Sequence, residues 1–254
     1  MKKWPIVFVL VLGFIPGFAQ KNFVKRNAVW FAYNNTLHVN DHWILQNEFQ
    51  ERFYTGPVKQ HQFQFRNIVR YKITENWDIG IGFVYGLNNT DAEVTTNVHI
   101  PEFRPYLEIN NSHKYKHVNI AHRYRFESRS QHNKTNMGLI DGYTTTGRFR
   151  YQFKIDVPLI KPKENKNGFK FTAGDELMLN FGKKIVTNLF DQNRLFGGFN
   201  YAPVKQFNIE LGYLYLFQQR SSGTFFTAHV GRISLATNFD IHRKKKKEEE
   251  QTKQ

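Results

Sequence analysis

The stretch WDIGIGFVYGL, residues 77–87, alternates between two kinds of side chain. Its odd-numbered positions are all large and apolar or aromatic, whereas four of its five even-numbered positions are Asp or Gly. Successive side chains of a β-strand point to opposite sides, so a period of two predicts a strand with one apolar face and one polar face. A helix would scatter the same residues around its whole circumference.

The same period recurs along most of the chain, most clearly in FNIELGYLYLFQ (residues 207–218) and GRFRYQFKIDV (residues 147–157). Weaker versions bring the number of predicted strands to eleven: residues 28–37, 43–54, 60–73, 77–87, 98–109, 115–128, 144–157, 169–180, 189–202, 207–218 and 225–240. Strands of globular sheets average about 5–6 residues, whereas a tilted membrane-crossing strand needs about 9–11. The lengths therefore favour a transmembrane barrel over a β-sandwich, although the alternation alone fits both.

The predicted fold class is all-β: a closed, antiparallel transmembrane β-barrel of about 10–12 strands. Bacterial single-chain barrels have an even number of strands and both chain ends in the periplasm. A tally of eleven therefore implies that a strand is missed or merged, or that residues 28–37 lie outside the wall. Short connections at 39–41, 74–76, 110–112 and 203–205 are expected to face the periplasm. Longer ones at 88–97, 129–143 and 181–188 are expected outside, with 55–57 and 161–168 as exceptions to this length rule.

The first residues predict export. Lys2 and Lys3 give a basic start, residues 4–15 are almost wholly apolar, and Gly17 and Ala19 are small residues at a signal-peptidase site. We predict a signal peptide at 1–19, a barrel domain at 20–240 and a charged, disordered tail at 241–254, with an uncut signal anchor as the alternative. The predicted location is the cell outer membrane.

Composition excludes several classes of protein. A chain with 40% apolar residues is not disordered, and a chain without Cys is neither a disulfide scaffold nor an iron–sulfur protein. The net charge of +15 does not predict nucleic-acid binding, because the protein leaves the cytoplasm. We expect no cofactor and no metal site. His113 and His117 would lie about 13 Å apart on a strand, too far to share one ion.

Aromatic residues cluster near the predicted strand ends, where rings can sit at the level of the lipid headgroups. They are Trp30, Trp43, Trp77, Tyr85, Phe103, Tyr143, Phe181, Phe199, Tyr201, Phe207 and Phe217.

Several short segments, taken in order, resemble an uncharacterised family of outer-membrane β-barrels of Gram-negative bacteria. They are Glu102-Phe103-Arg104, HRYRFESR at 122–129, GRFRYQFKIDVPL at 147–159, DQNR at 191–194 and ELGY at 210–213. The resemblance covers about residues 30 to 240 and implies a barrel in the outer membrane, with no known activity. The charged tail after Asp240 departs from the common pattern, in which a barrel ends at its last strand.

The polar faces of the predicted strands carry many charges, which would cost about 2–4 kcal/mol each for Arg or Lys near the middle of the lipid. We therefore expect them to face the lumen. Twelve are our candidate lumen-lining residues: Arg66, Arg70, Glu102, Arg104, Arg123, Arg125, Glu127, Arg148, Arg150, Arg194, Glu210 and Arg232. Nine more share these faces: Glu48, Arg52, Lys72, Asp78, Glu108, Arg129, Lys154, Asp156 and Glu176. Basic residues outnumber acidic ones by thirteen to eight.

Three functions fit these charges. Arg and Glu ladders could fill the interior of a non-conducting structural or surface-interaction barrel, or the basic excess could line a narrow anion-preferring channel. The third is an outer-membrane lipid-modifying enzyme, for which His229 with Ser234 and His122 with Ser128 are the candidate pairs. Neither pair lies in a nucleophile motif, so we expect no enzyme. The expected partners are outer-membrane lipid and the barrel-assembly machinery, with no nucleic acid and an unknown small-molecule or ion ligand.

Overall fold

The computed structural model describes residues 23–90, 98–135, 137–160 and 168–241. The predicted signal peptide and the tail beyond Ile241 lie outside the described residues, as do most of connections 88–97 and 161–168. Eleven strands of 13 to 22 residues follow one another: β1 (Phe23–His38), β2 (Trp43–Thr55), β3 (Val58–Lys72), β4 (Trp77–Asn89), β5 (His99–Tyr115), β6 (Val118–Lys134), β7 (Leu139–Ile160), β8 (Gly168–Phe181), β9 (Phe190–Val204), β10 (Phe207–Gln219) and β11 (Phe225–Asp240).

The strands form a closed barrel in which each strand pairs with its neighbours in the sequence. Ten of the pairings are antiparallel, and the barrel closes by a parallel pairing of β1 with β11. The prediction of a closed β-barrel of about 10–12 strands is confirmed, and the barrel is mostly antiparallel. The expectation of an even strand number is wrong for this chain, because residues 28–37 belong to β1 and form part of the wall.

An odd number of strands puts the two ends of the barrel chain on opposite sides. We call the side with His38 and Asp240 the turn end, and the side with Phe23 and Phe225 the loop end. The expectation that both chain ends lie on one side is therefore wrong. The reason is geometric: each antiparallel strand reverses the direction of the chain, so the eleventh strand runs parallel to the first.

The connections fall into the two predicted groups, with some shifts in position. The turn end carries tight turns at 39–42, 73–76, 116–117 and 205–206, and the loop end carries longer connections at 182–189 and 220–224. The predicted turn at 110–112 is wrong, because β5 continues to Tyr115. The predicted connection at 129–143 shrinks to 135–138, because β6 and β7 extend as a paired hairpin beyond the barrel body.

Large apolar side chains stand exposed on the outside of the barrel. Ile81, Leu195 and Leu211 are 58–69% exposed, and similar side chains project from the other strands. A largely apolar outer surface on strands longer than a membrane crossing requires is the pattern of a transmembrane barrel. No helix in the described ranges has the length and apolar character needed to cross a membrane.

The aromatic residues split between the outer surface and the interior. Trp43 and Trp77 open strands β2 and β4 at the turn end and are 45% and 42% exposed, as an interfacial girdle requires. Trp30 is only 7% exposed and lies in the middle of β1 with its side chain inside the barrel. Its predicted place among the headgroups is wrong, because β1 begins at Phe23 rather than at residue 28.

Candidate functional site

The twelve candidate residues all have their side chains inside the barrel, and each forms at least one ion pair. Nine of them belong to one connected network on strands β3 to β9. Arg66 pairs separately with Glu48 at 2.6 Å, and Glu210 pairs with Arg232 at 3.4 Å. The structure therefore brings together most, but not all, of the charges that the strand pattern directs inward.

The centre of the network is built on two fully buried carboxylates. Glu108 accepts hydrogen bonds from Arg70 Nη2 and Arg125 Nε, both at 2.7 Å. Glu127 accepts from Arg148 Nε and Arg150 Nη1, both at 2.8 Å. Each carboxylate thus lies between two guanidinium groups: those on Glu108 come from β3 and β6, and those on Glu127 both come from β7. Buried ion pairs offset the loss of hydration only when the remaining donors and acceptors are also satisfied. Both carboxylates meet this condition, whereas Arg70 Nε and Arg125 Nη1 have no hydrogen-bond partner among the described residues.

Two further carboxylates extend the network toward the two ends of the barrel. Glu176 Oε1 accepts from Arg123 Nη2 and Arg150 Nη2, both at 2.6 Å. Glu102 Oε1 accepts from Arg129 Nε at 2.7 Å, and Arg104 Nε lies 3.4 Å from the same oxygen. Together with the two central carboxylates they link four neighbouring strands. We call Glu102, Arg104, Glu108, Arg125, Glu127, Arg148, Arg150 and Glu176 the charged wall.

Asp191 enters this network through a β-bulge. Strict alternation along β9 would turn Asp191 outward, because Gln192 and Arg194 point inward. The register between β8 and β9 shifts at this point, and Asp191 and Gln192 are both buried. Asp191 Oδ2 accepts from Arg148 Nη1 at 3.0 Å. Bulges re-aim side chains in this way, and the strand pattern alone gives no signal for it.

Glycines on the inner face of β4 make room for two large side chains of the neighbouring strand β5. A Cβ at Gly82 would lie 2.7 Å from the ring of Tyr106, and one at Gly86 would lie 3.3 Å from Arg104 Nη2. The Tyr106 ring in turn lies 4.3 Å from the guanidinium of Arg125. The glycines within residues 77–87 therefore leave the space that Tyr106 and Arg104 occupy.

The opposite side of the lumen carries an apolar cluster. Strands β1, β2, β10 and β11 contribute a buried cluster that we call the apolar wall: Ala28, Trp30, Tyr54, Leu214, Leu216, Phe226, Ala228 and Val230. Trp30 lies at its edge, with the guanidinium of Arg52 3.9 Å and that of Arg194 5.3 Å from its ring. Arg52 is the cross-strand neighbour of Trp30, whereas Arg194 also lies 3.5 Å from Glu176, so its cation–π contact connects the apolar wall with the charged wall.

Two cavities share the arginines of the lumen, one toward each end of the barrel. The turn-end cavity has a volume of about 510 Å³, and its charged lining residues in the described structure are six Arg, two Lys and three Glu. The loop-end cavity has a volume of about 150 Å³ and is lined by seven Arg and one Glu. Four arginines line both cavities and separate them: Arg52, Arg66, Arg150 and Arg194. We call these four residues the arginine layer.

The two candidate catalytic pairs are not assembled. His229 lies on the outer surface, where its Nδ1 is 2.5 Å from the hydroxyl of Tyr213, while Ser234 points inward and accepts a hydrogen bond from Asn34. His122 is likewise on the outer surface, 2.9 Å from the hydroxyl of Tyr151. Ser128 is six residues further along the same strand, or about 20 Å. Each histidine therefore has a tyrosine partner rather than a serine.

No three potential metal ligands among His, Asp and Glu are grouped as a metal site within the described ranges. Some residues that contact the inward arginines are not among the candidates from the strand pattern. They are Asp191, Trp30 and the glutamines that contact Arg52. Gln50, Gln62 and Gln64 all provide side-chain oxygens to this guanidinium. Alternation along β2 and β3 predicts that these glutamines point inward. An uncharged side chain, however, does not mark a lumen position as clearly as a charged one does.

Comparison with known proteins gives one family and two similar structures. A NanC porin structure is 11% identical with a TM-score of 0.46, covering 78% of this chain and 90% of that one. The structure of LpxR from Salmonella typhimurium is also 11% identical with a TM-score of 0.46, covering 76% and 83%. No curated protein matches the chain. Residues 27–227 match the family described as a protein of unknown function, DUF2490. The match spans most of the chain, which therefore belongs to this family.

Proposed function

We propose that the protein is an outer-membrane barrel that gives small anions a narrow path through its lumen. The observation that carries this proposal is the charge of the two cavities, each of which is lined by far more basic than acidic side chains. Fixed positive charges in a narrow, water-filled path attract anions and repel cations. The arginine layer, where the two cavities meet, is then the narrowest and most selective part of the path.

The outer membrane is the location that fits both the chain and its surface. The predicted signal peptide directs the chain out of the cytoplasm, and closed barrels with an apolar exterior are the β-structures that cross a bilayer. The tight turns then lie in the periplasm and the loop end faces the exterior, with the C-terminal end of β11 on the periplasmic side.

A non-conducting barrel is the second candidate, and the charged wall favours it. Glu108 and Glu127 are 0% and 2% exposed, so water does not reach the centre of the network. The arginine layer also separates the two cavities rather than joining them as one open channel. In this case the ion pairs serve to fill the lumen. We propose no catalytic role, because neither candidate histidine lies near a serine nucleophile.

Single-channel recording from the folded barrel in a planar bilayer tests the proposal. A salt gradient across the bilayer should give a reversal potential of the anion-selective sign. The variants Arg52→Gln and Arg194→Gln remove one charge each from the arginine layer, and each should move the reversal potential toward zero. The control Lys205→Gln removes one charge from the exposed turn between β9 and β10 and should leave selectivity unchanged.

Three outcomes separate the candidates. Steady, anion-selective openings that weaken in the two arginine variants support the channel. A folded barrel that passes no current rejects the channel in favour of the non-conducting barrel. Cation selectivity, or selectivity that all three variants change equally, means that the arginine layer does not set it.

A further inference from the structure

We propose that the loop-end cavity is a binding site for one small tetrahedral oxyanion, such as phosphate or sulfate, held by Arg104 together with Arg52 and Arg194. The inference rests on the proposed anion path and names the class of ligand that stops within it. The cavity lies inside the barrel wall, so the ligand is an anion free in water rather than a lipid headgroup.

Arg104 is the strongest reason for a site. Its side chain is 5% exposed, yet its Nε and Nη2 atoms have no hydrogen-bond acceptor within the described part of the chain. Its nearest carboxylate oxygen, Glu102 Oε1, is 3.4 Å away and already accepts a 2.7 Å hydrogen bond from Arg129. Buried guanidinium donors without acceptors are costly, and each such group calls for a missing partner.

Arg52 and Arg194 are also poorly neutralised. In the described structure no carboxylate lies within ion-pair distance of Arg52, whose hydrogen bonds go to neutral glutamine oxygens. Arg194 Nη1 lies 3.5 Å from Glu176, a carboxylate that Arg123 and Arg150 already share, and its Nε has no acceptor. Both side chains line the loop-end cavity with Arg104.

The other arginines of the cavity behave differently. All three nitrogen groups of Arg148 bind Glu127 or Asp191, and those of Arg150 bind Glu127 or Glu176. Arg66 and Arg129 also donate to a carboxylate, to Glu48 at 2.6 Å and to Glu102 at 2.7 Å, although Arg66 Nε has no acceptor. Of the arginines that line the cavity in the described structure, Arg52, Arg104 and Arg194 are therefore those that donate no hydrogen bond to a carboxylate.

The arrangement of the three arginines indicates the shape of the anion. They project from β5, β2 and β9, which lie on separate parts of the barrel wall, so their donors approach the cavity from several directions. A tetrahedral oxyanion has acceptor oxygens on all sides, whereas a planar carboxylate presents both oxygens to one guanidinium. A cavity of about 150 Å³ has space for such an ion together with a few waters.

Fluorescence of Trp30 gives a binding signal that does not depend on conduction. The ring of Trp30 contacts Arg52 and lies near Arg194, so an anion on these guanidinium groups should change its emission. In a Trp43→Phe, Trp77→Phe background, the folded mature barrel is titrated with sodium phosphate and with sodium sulfate at constant ionic strength. We expect a saturable change for each. In the same background, Arg104→Gln should raise the dissociation constant about tenfold or more, because hydrogen bonds from a charged donor are lost.

Two variants and one competing anion make the test decisive. Arg104→Lys keeps the charge but loses the planar fork, so its dissociation constant should lie between the other two. Lys205→Gln should leave the dissociation constant unchanged. A shift in gel mobility on heating checks that each variant is folded. No saturable response to phosphate or sulfate, equal affinity for acetate, or unchanged binding by folded Arg104→Gln would each overturn the site.

The proposed channel and the proposed binding site can be rejected independently of each other. A barrel that conducts anions but does not bind phosphate or sulfate retains the proposed function and rejects this site. A barrel that binds them with the expected dependence on Arg104 but carries no current retains the site and rejects the channel.

Discussion

The charged wall and the apolar wall fill the same lumen by different means. The charged wall contains eight Arg and Glu side chains. All of them except Arg104 form ion pairs with partners on two or more strands. The apolar wall contains no charged member and packs Leu, Val, Ala and aromatic side chains against one another. Hydrogen bonds fix the direction of each partner, whereas apolar packing requires only that volume be filled.

This difference indicates which wall of the barrel selects among ions and binds a ligand. A charged wall tolerates little change, because removing one partner leaves the others buried without compensation. It also leaves donors such as those of Arg104 available to a ligand. The apolar wall has no such donors, so it supports the barrel and limits the lumen without selecting among ions. The four predictions that follow test this contrast.

The largest effect is expected at the centre of the charged wall. Glu127→Gln keeps the shape of the side chain but removes the charge that Arg148 and Arg150 share. We expect a loss of about 3–5 kcal/mol in the free energy of unfolding, because two buried guanidinium groups each lose one of their two carboxylate partners. Urea unfolding of the barrel in lipid vesicles measures it. A loss below about 1 kcal/mol would mean that water already hydrates this network.

A smaller loss is expected in the apolar wall. Leu216→Ala removes three carbons from a side chain that is 5% exposed and should lower the free energy of unfolding by about 2–3 kcal/mol. Leu216→Met nearly conserves the volume and should cost less than about 1.5 kcal/mol. The same urea experiment compares them. If both variants lose as much as Glu127→Gln, the two walls do not differ in their tolerance.

A pair of glycines tests whether space inside the charged wall matters. Gly82→Ala would place a methyl group 2.7 Å from the ring of Tyr106 and closer still to the carbonyl oxygen of Asn67, so we expect a loss of about 1–3 kcal/mol. Gly231→Ala, on the outer face of β11, meets no atom within 4 Å and should change stability by less than about 0.5 kcal/mol. Equal thermal unfolding midpoints for the two variants would contradict this account.

The smallest effect is expected at the exposed edge of the lumen. Glu210 and Arg232 are each 25% exposed and 3.4 Å apart, so their ion pair is screened by water. Glu210→Gln should therefore lower the free energy of unfolding by less than about 1 kcal/mol. It should also make the turn-end cavity more positive and increase anion selectivity in bilayer recordings. A large loss of stability here would remove the distinction between buried and exposed ion pairs.

Alternation along the chain predicts the strands and the direction of most side chains. Alternation is a local property, since each residue's face depends only on its position along its own strand. That is why the stretch from Trp77 to Leu87 indicates a strand, and why alternation alone assigns the twelve candidate charges to the inner face. The apolar outer face and the charged inner face of the barrel follow from the same pattern.

Contacts between strands that are far apart in the chain become known only from the tertiary structure. The parallel closure of β1 with β11 brings together residues about 200 positions apart, such as Asn34 and Ser234, and no local pattern specifies it. The bulge that turns Asp191 inward is a shift in register between two strands. The choice of partner for each arginine also depends on register. Local alternation fixes which face a side chain takes, but only the pairing of strands fixes what it meets there.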